Sequence, residues 1–275
     1  MVRSWGWIPL VILARAAHGQ DYSVLRINEV IAENNSRGPM DVGGAFVDMV
    51  EILNTGAVPL QLGFSSREPS IALTDTPVLP LDTVPWTFRN GTEVLPGQSL
   101  IVFCDGNLTQ DLCEPHASFA IANDGSEPIT LWGPVTGTGG DGKPIRAILD
   151  QVWLPPLRAD ISFGRFPDGA GPAPVPVEET LETFVFNPPG TSTFGSCLQL
   201  PNSCGAGTNR RLCRGAANAP GGNLEPRINL EVYSTNSPAP LEAVQLTARV
   251  RDDKEPTPSN IAAVEIVYRV DGGPE

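Results

Sequence analysis

Histidine, lysine and long apolar runs are scarce in this chain of 275 residues. The only histidines, His18 and His116, rule out a histidine-rich metal site and leave little room for histidine-dependent catalysis. Basic side chains number 18 against 31 acidic ones, so the net charge is −13. Nucleic acids and anionic membrane surfaces both attract Lys and Arg, so this charge argues against either as a partner.

The first 19 residues have the pattern of a secretory signal peptide. Arg3 gives a positive start, residues 5–14 form a short apolar run, and small residues follow. We predict cleavage after Gly19, with Ala14-Arg15-Ala16 as the second choice, over the alternative of a buried N-terminal helix. No later apolar run reaches the roughly 18 residues that a membrane helix needs. We therefore expect a secreted or cell-surface protein with no membrane span after cleavage.

The five cysteines are consistent with an oxidising compartment. Cys104 and Cys113 flank a polar stretch, and we predict a structural disulfide between them. A second disulfide can form among Cys197, Cys204 and Cys213, and the sequence leaves the pairing open. The spacing of these three does not match zinc knuckles and no histidine lies nearby, so we predict no metal and no cofactor.

Short β-branched segments separated by turn signals recur along the body of the chain, and no window keeps a helical period for three turns. About seven strands with such spacing predict an all-β fold, an immunoglobulin-like antiparallel β-sandwich. The predicted strands lie at 24–32, 46–53, 58–62, 99–104, 129–132, 147–154 and 161–166.

We predict four parts in the chain. A signal peptide covers 1–19, a β-sandwich domain covers 20–190, and a cysteine-containing linker rich in Gly, Pro and Asn covers 191–226. Residues 227–275 carry three strand patterns, whereas an immunoglobulin-like sandwich needs about seven strands. We expect that last part to be a partial second β-sandwich domain; the alternative is that its strands join the first sandwich.

Signatures of catalysis are missing. There is no Gly-x-Ser-x-Gly elbow, no P-loop and no His-Glu-x-x-His helix. His116 stands beside Glu114 and Pro115 in a predicted loop, where a lone histidine is usually a surface residue. We predict no enzymatic activity.

Two weaker ligand patterns have simpler explanations. Calcium takes six to eight oxygens, but no Asp-x-Asp-x-Asp-Gly loop is present, so we expect the acidic candidates to be turn and surface residues. Those candidates are Asp41, Asp48, Glu51, Asp75 and Asp82. Three tryptophans could stack on a sugar, but we expect core positions for them. They are Trp86, Trp132 and Trp153.

Strand alternation places Glu29 among apolar residues of the first strand and Arg165 beside Phe163 in a late strand. A buried charge is costly unless it is paired and hydrogen-bonded. We therefore predict that Glu29 forms a buried ion pair with Arg165 or caps backbone amides near a sheet edge. The alternative is that a bulge turns Glu29 to solvent.

Residues 24–190 resemble the lamin tail domain as it occurs in secreted bacterial proteins. The resemblance lies in the order and spacing of several segments. They are Ile27-Asn28-Glu29-Val30, 48–56, 95–103, Asp105-Gly106, 119–121, 124–127 and 162–169. The chain departs from the family at Met49, where an aromatic residue is usual, and in the longer, cysteine-richer segment 187–213. Residues 227–275 resemble the start of an immunoglobulin-like repeat of bacterial surface proteins.

The resemblance implies an immunoglobulin-like β-sandwich without catalytic activity. On this basis we expect a secreted or cell-surface module for adhesion or protein interaction, whose partner is an unknown protein or surface ligand. In bacteria such domains usually accompany other modules. An alternative is therefore an accessory portion of a larger exported enzyme, such as a CotH-kinase-like or nuclease protein. A third is a calcium- or carbohydrate-binding module.

Overall fold

Short β-strands make up most of the regular structure. The computed structural model describes residues 19–65, 70–77, 85–140, 142–187, 194–203, 209–216, 218, 227–233 and 246–251. Its helical elements include the 3-10 turns Tyr22–Val24 and Val177–Glu179 and helix α1, Thr180–Thr183. The strands are β1 (Leu25–Ile31), β2 (Asp48–Asn54), β3 (Leu60–Gln61), β4 (Ala72–Thr74), β5 (Trp86–Thr87), β6 (Glu93–Val94), β7 (Ser99–Cys104), β8 (His116–Ala117), β9 (Pro128–Trp132), β10 (Gly137–Thr138), β11 (Pro144–Ile145), β12 (Ile148–Trp153), β13 (Ser162–Arg165), β14 (Phe184–Asn187), β15 (Ser196–Ser203), β16 (Asn209–Arg214), β17 (Arg227–Tyr233) and β18 (Leu246–Arg251).

Two larger sheets share one apolar core. The first has six strands in the order β14-β13-β1-β2-β7-β8, and the second has four in the order β12-β9-β4-β5. Neighbouring strands are antiparallel except β7 and β8, which are parallel. Buried side chains of both sheets meet between them, among them Ile27, Val50, Val102, Phe163, Leu73, Ile129, Leu131 and Val152. The prediction of an all-β fold built from packed sheets is confirmed.

A β-bulge in β1 decides which side chains of the six-stranded sheet face this core. Ile27 and Glu29 lie opposite neighbouring residues of β2, so Asn28 is an extra residue. An extra residue reverses the alternation of the strand beyond it. Ile27 and Val30 therefore both face the core between the sheets, whereas Glu29 and Ile31 face the outer side.

Arg165 lies on the core side of the six-stranded sheet, fully buried, and pairs with Asp150 of the opposite sheet. Its Nη2 donates to both carboxylate oxygens of Asp150, at 3.1 and 2.9 Å. Its Nε donates to the carbonyl of Ile27 at 2.9 Å, and its Nη1 donates to the carbonyls of Ala170 and Pro172. All three nitrogens of the guanidinium thus have acceptors, and the ion pair ties the two sheets together.

The predicted ion pair between Glu29 and Arg165 is therefore wrong. The bulge places Glu29 on the outer face, where its Oε1 accepts hydrogen bonds from Ser162 Oγ and from Asn187 Nδ2. The alternative, that a bulge exposes Glu29 to solvent, is also wrong, since Glu29 is 0% exposed. The bulge is present, but the face to which it directs Glu29 is covered by another part of the chain.

That cover is the hairpin of β15 and β16. Phe194 and Cys213 pack against Ile31, Met49, Ile101 and Phe103 on the outer face of the six-stranded sheet. Residues 194–203 and 209–216 of the segment predicted as a linker thus form a third layer on the first domain. This segment is rich in Gly, Asn and Cys and lacks the alternation of apolar and polar residues that indicates a strand, so its sequence does not predict the hairpin.

The hairpin is closed by a disulfide between Cys197 and Cys213, which lie directly opposite each other on β15 and β16. This resolves two of the three cysteines left open above, and Cys204 lies outside the described residues. The predicted Cys104–Cys113 disulfide is not formed, and both residues carry buried, reduced thiols. The side chain of Cys104 belongs to the core between the sheets, whereas Cys113 stands in the turn before β8 and is not a member of that core.

Other predicted parts lie largely outside the described residues. They include residues 1–18 of the predicted signal peptide and residues 261–270, which carry the last of the three strand patterns predicted in 227–275. β17 and β18 pair as an antiparallel hairpin in the region predicted as a second β domain. Within the described part of the chain, no helix is both long and apolar enough to cross a membrane.

A proline-rich segment, residues 172–176, which we name the strap, borders β12, the edge strand of the four-stranded sheet. Val175 N donates to the carbonyl of Gln151 at 3.0 Å, and Val175 is buried. Pro174 and Pro176 flank Val175 and have no N–H to donate. The strap therefore occupies part of the edge of β12 while offering few donors on its own outer side.

Loss of the hairpin disulfide should weaken the third layer. We expect the double variant Cys197→Ser/Cys213→Ser to lose about 3 kcal/mol of unfolding free energy, because a bond closing a loop of this size restricts the unfolded chain by about that amount. Urea unfolding measures the loss. Cys204→Ser is the control, and equal losses in both proteins would contradict the assigned pairing.

Removing the Arg165 guanidinium should cost more. Arg165→Met leaves the Asp150 carboxylate buried without its cation, and breaking a buried pair in this way costs about 3–5 kcal/mol. Arg26→Met is a matched control, because the Arg26 guanidinium bonds backbone carbonyls near the surface. Similar thermal unfolding midpoints for the two variants would contradict a central role for the Arg165–Asp150 pair.

Candidate functional site

His116 is buried at the edge of the six-stranded sheet, contrary to the predicted surface position. It lies in β8, which pairs in parallel with β7 and sets His116 beside Phe103. Their rings stack at a centroid distance of 5.3 Å, and His116 is 0% exposed. A parallel strand of only two residues has no recognisable sequence pattern. The residues before His116, Glu114 and Pro115, are typical of a loop, and the prediction followed them.

Both ring nitrogens of His116 bond carboxylates. Nδ1 lies 2.9 Å from Asp105 Oδ1, and Nε2 lies 3.2 Å from Glu114 Oε1. Burial lowers the pKa of His116, but hydrogen bonds to Asp105 and Glu114 and their negative charges outweigh it and raise the pKa to about 9. The imidazole is thus a buried cation at neutral pH, with neither nitrogen available to a substrate.

This cation fastens the loop between β7 and β8, residues 105–115, at both ends. Asp105 begins the loop and Glu114 stands near its end. Asp111 adds a contact from the middle: its Oδ1 accepts from the backbone N–H of His116 at 3.4 Å, and its Oδ2 lies 2.9 Å from Arg89 Nε. The loop is therefore held by charges along its whole length.

The same cluster holds a second loop, residues 38–47, which leads into β2. The backbone N–H of Val42 donates to Glu114 Oε1, and Gln110 Nε2 donates to Asp41 Oδ2 at 3.1 Å. Asp41 also accepts from the backbone N–H of Ala45 at 2.7 Å, which closes the second loop on itself. Glu114 thus joins both loops to His116.

These two loops present four exposed apolar side chains at one end of the sandwich, which we name the loop-end surface. Met40 is 46% and Phe46 37% exposed on the loop before β2, and Leu108 is 49% and Leu112 51% exposed on the loop after β7. Single exposed apolar residues are ordinary, but a group on adjacent, anchored loops is typical of an interaction site. Sequence reasoning missed this surface, because nothing local indicates that the two loops meet.

A second polar cluster occupies the outer face of the six-stranded sheet beneath the hairpin. Asn28, the bulge residue, donates through Nδ2 to Glu51 Oε1 at 2.7 Å and to Asp168 Oδ1 at 3.3 Å. Its own Oδ1 accepts from the backbone N–H of Gly169 at 2.8 Å. Burial, together with the charges of Glu29 and Asp168, raises the pKa of Glu51 well above its usual value. Burial beneath the hairpin therefore favours the protonated form of Glu51.

Asn218, four residues after the end of β16, completes this outer cluster. Its backbone N–H donates to Asp168 Oδ1 at 3.0 Å, and its Nδ2 lies 3.2 Å from the carbonyl of Arg165. Segments that carry the lamin-tail resemblance, 27–30, 48–56 and 162–169, thus meet in space through side-chain hydrogen bonds. Asn218, almost 200 residues from Asn28, has no sequence signal.

The calcium candidates that lie among the described residues do not form a common site. Asp41 bonds within its loop, while Asp48 accepts from the backbone N–H groups of Asn34 and Ile121. Among the described residues, no group of three His, Cys, Asp or Glu side chains is arranged to hold a metal ion. Asp82 lies outside those residues. Trp86 and Trp132 are buried in the core as predicted, whereas Trp153 is partly exposed.

Comparison of the whole chain with protein-family models, with curated proteins and with solved structures finds no match.

The buried imidazolium predicts a loss of stability at alkaline pH. The folded pKa of His116, about 9, lies above its ordinary value of 6.5. Its stabilising contribution is therefore complete below pH 6.5 and is lost as the pH rises through about 9. We expect the unfolding free energy to fall by up to about 3 kcal/mol across this range.

His116→Gln is the test variant, because glutamine keeps hydrogen-bonding capacity without a titrating charge. Chemical unfolding at a series of pH values should give a flat profile for this variant where the parent protein declines. If both proteins decline in parallel, the alkaline loss does not come from His116.

Proposed function

We propose that this chain is a secreted or cell-surface, non-catalytic β-sandwich module of the lamin-tail type that binds a protein or other surface ligand through the loop-end surface. The observation that carries the proposal is the group of four exposed apolar side chains on two loops anchored by His116. Loops on a rigid scaffold are the usual place for recognition residues in β-sandwich proteins.

Anchoring matters because a partner gains affinity when it does not have to order the loops on binding. Here Glu114 is bonded to His116 and to the backbone of the neighbouring loop, so the loop positions are set before any partner arrives. The apolar tips can then be buried against a partner, while the charges beneath them remain in place. Protein interfaces have this arrangement, an apolar centre over a polar frame.

A binding role rather than catalysis is supported by how the reactive side chains are used. His116 has both nitrogens bonded to carboxylates, and all three nitrogens of the Arg165 guanidinium are hydrogen-bonded. Both are 0% exposed. These two buried side chains stabilise the scaffold, and the exposed apolar side chains of the loop-end surface are the groups that a partner can contact.

Two observations support an extracellular, lamin-tail assignment. The Cys197–Cys213 disulfide is of the kind that persists in oxidising compartments, as the amino-terminal signal pattern also predicts. Three segments that resemble the lamin tail domain are joined by hydrogen bonds from Asn28 to Glu51 and Asp168. The residues that carry the resemblance therefore form one buried hydrogen-bond network.

Loop-tip variants test the proposal. We expect Phe46→Ser/Leu108→Ser, which removes one apolar tip from each loop, to lower binding of the labelled protein to cells of the producing organism by at least about tenfold. Val58→Ser is the control, since Val58 is 53% exposed next to the opposite end of β2. Circular dichroism verifies that each variant is folded. Equal binding of the test and control variants, or no binding by the parent protein, would overturn the proposal.

A further inference from the structure

Ser162, Asn187 and Glu29 form a buried triad on the outer face of the six-stranded sheet. Ser162 and Asn187 are directly opposite on β13 and β14, where facing Cβ atoms are about 5 Å apart. The Ser162 hydroxyl and the Asn187 Nδ2 both donate to one oxygen, Glu29 Oε1, the latter at 3.2 Å. All three residues are 0% exposed.

The arrangement has the parts of an acyl transfer. A hydroxyl is activated as a nucleophile when a base within hydrogen-bond reach takes its proton. Here the base also contacts the nitrogen that would leave, so Glu29 can take the proton from Ser162 Oγ and deliver it to Asn187 Nδ2. A single carboxylate bridging the attacking and leaving atoms avoids any need for water in the buried site.

The Arg37 guanidinium interacts electrostatically with Glu29. Burial lowers the pKa of Arg37, while the charges of Glu29 and Asp160 raise it, so Glu29 and Arg37 stabilise each other's ionised forms. Arg37 is itself buried and lies in the segment that follows β1. An ionised Glu29 is the form that can accept the serine proton.

The Asn187 carboxamide is poorly accommodated as an amide. Its Nδ2 has acceptors in Glu29 and Asn218, but its Oδ1 is buried and has no hydrogen-bond partner among the described residues. A buried amide oxygen without a donor is destabilised. An ester carbonyl is a weaker acceptor than an amide carbonyl, so its burial without a donor costs less.

We propose that Ser162 and Asn187 form an intramolecular ester cross-link, with Glu29 as the proton-transferring residue. The bond between Ser162 Oγ and Asn187 Cγ forms, and the bond between Asn187 Cγ and Nδ2 breaks. The serine proton passes through Glu29 to the departing nitrogen, which leaves as ammonia. No oxidant, reductant or co-reactant is needed, and Glu29 is regenerated.

The cross-link would tie the edge strand β14 covalently to β13. It closes a loop that includes the segment 166–183 and helix α1, and closure of such a loop restricts the unfolded chain as a disulfide does. It also secures the edge of the sheet that lies farthest from the His116 cluster. This modification is independent of the ligand-binding role proposed above.

Mass spectrometry of the purified protein tests the proposal. The cross-linked protein is lighter than its sequence by one ammonia, but cyclisation of an amino-terminal Gln20 would cause the same loss. Peptide mapping separates the two, because trypsin places Ser162 in 159–165 and Asn187 in 166–210. After reduction we expect these peptides to be joined, minus ammonia, and to separate in mild alkali.

Variants identify the chemistry. We expect Ser162→Ala to abolish the joined peptide and Glu29→Gln to reduce it at least tenfold, while Ser99→Ala leaves it unchanged. Ser99 is the matched control, a buried serine on β7 that bonds the backbone of Gly215. Separate, unmodified peptides 159–165 and 166–210 from the parent protein would overturn the proposal, whether or not any variant folds. Retention of the joined peptide in Ser162→Ala would overturn it equally.

Discussion

The one-residue bulge at Asn28 determines which buried side chains of β1 lie on each face of the six-stranded sheet. Because it reverses the alternation of β1, Ile27 enters the core between the sheets, while Glu29 enters the outer face. Without the extra residue, Glu29 would face the side of the sheet on which Arg165 already binds Asp150. The bulge thus keeps two sets of charged groups apart, one on each side of a single sheet. Asn28, being unpaired in the strand ladder, is free to connect Glu51, Asp168 and the backbone of Gly169.

The buried ionisable groups on the two faces of the six-stranded sheet are stabilised in different ways. On the inner face the Asp150 carboxylate binds the Arg165 guanidinium, so opposite charges compensate each other. On the outer face Glu51 accepts a hydrogen bond from Asn28, and burial raises its pKa well above the usual value, which favours the protonated form. The third layer, the disulfide-closed hairpin, adds to this burial, and a protonated carboxyl group costs less to cover than a carboxylate without a counter-ion. At the edge of the same sheet, His116 is charged because two carboxylates face it.

The fold class and much of the core follow from local pattern, whereas the polar clusters do not. Alternation in segments such as 99–104 and 148–153 is sufficient to predict strands, and Trp86 and Trp132 are in the core as their character suggests. Whether Glu29 or Asp150 pairs with Arg165 depends on a bulge at Asn28, and the position of a bulge cannot be derived from the sequence pattern. The burial of His116 depended on a parallel pairing of two residues, and the partner of Cys213 on a hairpin whose sequence resembles a linker. In each case the deciding contact joins residues that local periodicity cannot relate.

The proline-rich strap beside β12 has a consequence for molecules of this protein at high concentration. A bare edge strand offers a ladder of unpaired N–H and carbonyl groups on which another chain can polymerise. Here the strap takes up the carbonyl of Gln151, and the neighbouring prolines cannot continue the ladder outward. Copies crowded together are thereby hindered from stacking into a continuous cross-β ribbon along this edge. Pro174 and Pro176 thus protect this edge against pairing with another copy without any added charge.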